Sequence, residues 1–181
     1  MVVEPKRAEG LVNAQLLGQM DPFVSASLKT RGGDLIEQQR TLCAPSGGLC
    51  PRWQRSSARK LILRVPESAT DTASAVELVR LEVWNENTLL DDRLGTVDIE
   101  LPNSSFAPTP VPTAGANSTS VQTRLSAWFD LDQGGRLRCS VRHVPPGDPC
   151  YAGLLRIAER KAEKGPHSSG AAEKETKVED V

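Results

Sequence analysis

Apolar and polar residues alternate along much of the first 143 positions, and the period is two. Val79, Leu81 and Val83 fall on one face of an extended segment while Arg80 and Glu82 fall on the other, the pattern of a half-buried strand. The same reading gives strands at residues 1–8, at Pro22 to Lys29 and at Leu35 to Leu42. Further strands are predicted at Lys60 to Val65, from Glu77 into Val83, from Leu94 through Ile99, at Arg124 to Leu131 and at Arg136 to His143. Pro5 has no N–H to give, so it restricts the first strand to an edge or a bulge. Turn signals at Thr30-Arg31-Gly32-Gly33 and Asp132-Gln133-Gly134-Gly135 separate neighbouring strands. Eight short strands with such punctuation predict an all-β fold, an eight-stranded antiparallel β-sandwich.

The pattern changes beyond residue 143. Asp148 and Pro149 form an N-cap and first-turn pair, and Tyr151, Leu154, Leu155 and Ala158 lie on one helical face before Gly165–Pro166 ends it. The organisation expected is therefore a sandwich over 1–143, a linker and short helix over 144–165, and a disordered tail over 166–181. Within the sandwich, residues 102–121 are rich in Pro, Ser, Thr and Ala without periodicity, and predict a low-complexity loop insertion.

Composition narrows the function classes. A net charge of −1 at pH 7 excludes a basic nucleic-acid binder. The distribution is uneven: residues 1–65 hold ten Lys/Arg against five Asp/Glu, and residues 66–132 hold three against eleven. Opposite charge on two parts of one domain offers separate handles for anionic surfaces and for cations. The four cysteines fit no zinc spacing, and no secretory or membrane-spanning run occurs, which predicts reduced thiols and a cytoplasmic setting, peripheral at membranes. His143 and His167 are the only histidines, with no nucleophile elbow and no phosphate loop, so no enzyme is expected. Between two strands, Asn85, Glu86, Asn87, Asp91 and Asp92 supply oxygens of the kind a hard cation takes, although a plain polar hairpin loop has the same composition.

Several ordered pieces resemble the C2 domain, the β-sandwich module of protein kinase C and synaptotagmin. Ala8-Glu9-Gly10-Leu11 followed by Met20-Asp21-Pro22-Phe23-Val24 resembles that family's first-loop signature. Pro51-Arg52-Trp53 resembles the motif before its fourth strand. Leu81-Glu82-Val83-Trp84 with Asp91-Asp92-Arg93-Leu94-Gly95 resembles its third-loop signature, and Trp128-Phe129-Asp130-Leu131 with Gly135-Arg136-Leu137 its closing strands. The resemblance implies calcium ligands at Gln15, Asp21, Asn85, Asn87 and one of Asp91 or Asp92. Only two of these five are carboxylates, so no cofactor is required and at most weak calcium binding is expected. It also implies membrane-inserting residues at the loop tips, here Leu16, Leu17, Leu89 and Leu90, which either enter an interface or fold back onto each other. A basic sheet face for anionic head groups is implied too, with Lys29, Arg31, Arg40 and Lys60 as its candidates. The expected function is a monomeric membrane-targeting module binding anionic phospholipid with little or no calcium. The alternative is a protein-interaction module without lipid, its C-terminal helix docking a partner.

Overall fold

The computed structural model describes residues 1–16, 18–30, 32–53, 59–65, 76–101, 124–144 and 148–163. Two of the candidate site residues, Leu17 and Arg31, lie outside these, as do the insertion at 102–121 and the tail at 166–181. Eight strands and one helix follow in order: β1 (Val2–Glu9), β2 (Pro22–Thr30), β3 (Leu35–Arg40), β4 (Leu61–Ile62), β5 (Val76–Asn85), β6 (Asp92–Glu100), β7 (Arg124–Asp130), β8 (Arg136–Arg142) and α1 (Tyr151–Glu163). They form two four-stranded antiparallel sheets, ordered β4-β1-β8-β7 and β3-β2-β5-β6.

The alternation read from the sequence sorts side chains between core and surface. Val79, Leu81 and Val83 of β5, and Val24, Ala26 and Leu28 of β2, are all fully buried. They meet Val3, Leu137, Cys139 and Val141 from the other sheet in one apolar cluster. Each fully buried Leu or Val there contributes about 1.5–3 kcal/mol relative to exposure. Pro5 sits in an inner strand, and the ladder with β8 slips between Pro5 and Arg7, so the proline is accommodated at a bulge rather than an edge.

β4 is shorter than its composition suggests, because β1 offers it a ladder only at Val2 and Val3. The side-chain amide of Gln39 takes over beside it, donating to the Ile62 carbonyl (2.7 Å) and accepting from the Ile62 N–H (3.1 Å). This amide clips the β3 edge of one sheet to the β4 edge of the other. The helix packs Leu154, with Tyr151 and Ile157 partly buried, against Val2, Ile62 and Val144. Its N-cap is the one read from the sequence: the Asp148 carboxylate accepts from Cys150 N–H at 2.7 Å.

Because the strands alternate in direction, the connections β1–β2, β3–β4, β5–β6 and β7–β8 share one end of the sandwich. Hydrogen bonds tie them together there: Gly48 N–H to Met20 O, Leu11 N–H to Leu49 O, Glu86 N–H to Asp21 O and Asp132 N–H to Thr96 O. At the β7–β8 turn the backbone is so close that a Cβ on Gly135 would lie 2.5 Å from Gly10 O, and Gly135 also has φ +76. Only glycine fits both constraints.

Candidate functional site

The loop end holds every candidate cation ligand, and one side chain joins most of them. Asn87 Oδ1 accepts from Gln15 Nε2 (3.2 Å) and from Asn85 Nδ2 (3.0 Å). Its Nδ2 donates to Asp92 Oδ2 (2.7 Å) and to the Leu90 carbonyl (3.1 Å), and its backbone N–H donates to Asp91 Oδ1 (3.0 Å). Asn85 ends β5 fully buried, its Oδ1 accepting from the Asp21 N–H at 2.9 Å. The Asp21 carboxylate turns the other way, to the Ser46 N–H at 2.6 Å. The structure thus brings together Gln15, Asn85, Asn87, Asp91 and Asp92, while Asp21 joins through its backbone.

Calcium asks for six to eight oxygens, several of them charged. Here a carboxamide brings N–H donors to the same place, and the amide of Asn87 rests directly on Asp92. Neutral donors satisfy the lone pairs that an ion would otherwise take. Among the described residues no three His, Cys, Asp or Glu side chains gather as a metal site. This donor set does not fit a high-affinity calcium centre; it is a hydrogen-bonded staple between the first and third loops.

Around the staple the loop tips are apolar and open. Leu16, Leu89 and Leu90 are 102%, 98% and 80% exposed. Of the two fates open to these leucines in the sequence, folding back is not what the structure shows. Met20, from the same loop, does turn in and is buried. The β3–β4 connection adds Leu42 at 72% and Leu49 at 46% exposure to the same end. Sequence reasoning missed these two. The signal lay in Leu42, which falls just past Arg40, where the β3 alternation stops.

The basic candidates lie on β2, on β3 and just before β4. Arg40 lies at the loop end of β3, ion-paired to Glu86 (3.6 Å) with its guanidinium 4.9 Å from the Phe23 ring centroid. Lys60 pairs with Glu4 at 3.7 Å, a carboxylate that Arg59 also approaches. Lys29 is near the opposite end of β2, paired in register with Leu35 and Leu78. Lys29 and Arg40 thus lie toward opposite ends of the β2–β3 pair.

Nucleophilic chemistry finds little support among the described groups. All four cysteines are free. The Cys43 thiol is pushed up to about 12, first by burial and then by its hydrogen bond to Glu86, which it reaches at 3.0 Å. Cys139, in the core, is likewise pushed up to about 12 by burial. A thiol held in that range is a poor nucleophile. Under α1 a cavity of about 70 Å³, lined by Ile62, His143 and Leu154 among others, is too small for a metabolite.

Comparison with known proteins agrees with this architecture. The C2 domain family pattern matches residues 1–115. Among solved structures, the chain is similar to a C2 domain of plant extended synaptotagmin 1, at 19% identity and TM-score 0.49, over 77% of this chain and 88% of that one. It is also similar to a structure reported for CC2D1B and its coordination of ESRCT-III activity in mitotic reformation of the nuclear envelope. That match has 14% identity and TM-score 0.53, over 87% of this chain and 59% of the other. Human GIVD cytosolic phospholipase A2, in complex with methyl gamma-linolenyl fluorophosphonate, is similar at 18% identity and TM-score 0.50. The match covers 82% of this chain and only 17% of the phospholipase. At such identities the likeness extends to the fold alone. No curated protein matches the sequence. The family pattern covers well over half of the chain, and two antiparallel four-stranded sheets carry it: the chain belongs to the C2 domain family, whose members are typically non-catalytic modules for membrane lipid or protein interaction.

Proposed function

We propose that this C2 domain is a peripheral membrane-targeting module that enters an anionic phospholipid surface through Leu16, Leu89 and Leu90, without requiring calcium. The observation that carries the reading is the exposure of these leucines on loops that the Asn87 staple already cross-links. Large side chains held in water on a fixed scaffold are what an interface would bury. Full burial of one leucine gains about 1.5–3 kcal/mol, so three supply roughly 4–9 kcal/mol before immobilisation is subtracted. That suits reversible docking. Because amides hold the loops in place, no ion is needed to order them. Among the described residues no helix is long and apolar enough to cross a membrane, which accords with surface attachment. Against the protein-docking alternative at α1, Leu154 of its apolar face is buried on Val2, Ile62 and Val144 of its own chain.

Co-sedimentation with phosphatidylcholine–phosphatidylserine vesicles in chelator tests this. The full chain is expected to bind, and Leu16→Ser/Leu89→Ser/Leu90→Ser is expected to bind at least tenfold more weakly with its thermal midpoint unchanged. Equal binding by both proteins, or none by the parent, would contradict the reading.

A further inference from the structure

Away from β3, cations also gather on the outer face of the β4-β1-β8-β7 sheet, where three guanidinium groups surround one indole. Arg136, Arg7 and Arg138 place their Cζ atoms 4.6, 5.0 and 6.0 Å from the centroid of Trp128. Register explains the assembly: Arg7, Arg138 and Trp128 lie abreast on β1, β8 and β7, and Glu9, Arg136 and Asp130 form the next row toward the loops. Glu9 is taken by Arg136 (2.9 Å) and Arg7 (3.4 Å). Lys6 reaches Ser126 Oγ on the same face at 3.2 Å. Lys6, Arg7, Arg136 and Arg138 therefore face Glu9 and Asp130, while Glu4, further along β1 on this face, is held by Lys60 and Arg59. The outer face of the opposite sheet carries no such excess, since Arg80 is bound by both oxygens of Asp98 and Glu82 lies beside it in the strand.

Guanidiniums stacked on an aromatic ring keep their N–H edges in fixed planes, suited to phosphate oxygens. Position supplies the second argument. The Arg136 row borders the loop end: Gly10 packs on Gly135, and Gly134 approaches Val12 of the first loop. The Arg7 row is two residues further back, about 7 Å at 3.3–3.4 Å per residue. Apolar groups that dock at an interface sink about 5–10 Å into it, and the Arg136 row stands at the end of the sheet that such docking brings to the headgroups.

We infer that the outer β1–β8–β7 face, centred on Arg7, Arg136 and Arg138 around Trp128, contacts the phosphates of an anionic bilayer and tilts the sandwich onto that sheet. The inference rests on the loop-tip reading and adds a second contact to it. It places the cationic footprint on the sheet opposite to β3.

The test compares the full chain with Arg7→Gln/Arg138→Gln and with Arg40→Gln/Lys60→Gln, in chelator. Vesicles are phosphatidylcholine alone and phosphatidylcholine with 30% phosphatidylserine. Arg7→Gln/Arg138→Gln is expected to lose about tenfold or more on the anionic vesicles, more than Arg40→Gln/Lys60→Gln loses, while weak binding to neutral vesicles is unchanged. Arg138→Gln alone, at an exposed position, serves if the double variant does not fold. Undiminished binding by Arg7→Gln/Arg138→Gln, or a loss no larger than that of Arg40→Gln/Lys60→Gln, would overturn the inference and leave the loop-tip reading standing. Failure of the parent chain on both vesicles would overturn both. Arg7- and Arg138-dependent capture of a polyglutamate peptide, with no preference for anionic vesicles, would overturn the lipid assignment in favour of an acidic protein.

Discussion

A carboxamide both donates and accepts, and at position 87 that decides what the loop end can do. Asn87 accepts from Gln15 and Asn85 and donates to Asp92 and the Leu90 carbonyl, so one neutral side chain joins two loops. Replacing it with aspartate removes both donors and sets a third carboxylate beside Asp91 and Asp92. Asn87→Asp is therefore expected to cost about 1–2 kcal/mol, a drop of roughly 3–6 °C in thermal midpoint. Millimolar calcium should recover part of that drop. The parent chain's midpoint should not respond to calcium, and a parent midpoint that rises as much as the variant's would contradict the staple. The sequence displayed the ligand positions and their missing charges, because residue type alone sets charge. It did not display that Asn85 is buried with its oxygen on the Asp21 N–H, since that depends on how β5 and β2 register. Nor did it show Glu86 drawn to Arg40 and Cys43, which turns a basic candidate into an ion pair.

At the scale of elements, strands were legible wherever one face is buried, because burial imposes the period of two on the residues. Val79, Leu81 and Val83 illustrate this, and so does the helix face that seats Leu154. Where pairing depends on a neighbour's geometry, composition overreached: residues 60–65 have the content of a strand, but only Leu61–Ile62 find a ladder. The Arg–Trp128 face escaped for a related reason. Counting charge in contiguous blocks marks residues 1–65 as basic, but it does not reveal that the sheet sets Arg7 beside Arg138, 131 positions apart, by placing β1 beside β8. The helix makes a small contact, seated through Leu154 against Val2, Ile62 and Val144. Leu154→Ala is expected to cost about 2 kcal/mol and to act locally. Amide exchange over residues 151–160 should accelerate while the β2–β5 ladder keeps its protection. Accelerated exchange in both would mean that α1 is part of the cooperative core.

For the whole molecule, the two sheets play different parts. One end gathers loops whose leucines face water, one flank gathers arginines on Trp128, and α1 covers the end remote from the loops. The proposed attachment by one end and one side combines an apolar term that salt leaves alone with a cationic term that salt screens. The most direct measurement is hydrogen exchange by mass spectrometry on the full chain, with and without phosphatidylserine-containing vesicles, in chelator. Slowed exchange over residues 86–91 and 11–20 on adding vesicles, of equal size when calcium replaces the chelator, is the result this account requires. Protection that appears only with calcium, or none in these loops while the chain sediments with the vesicles, would contradict it.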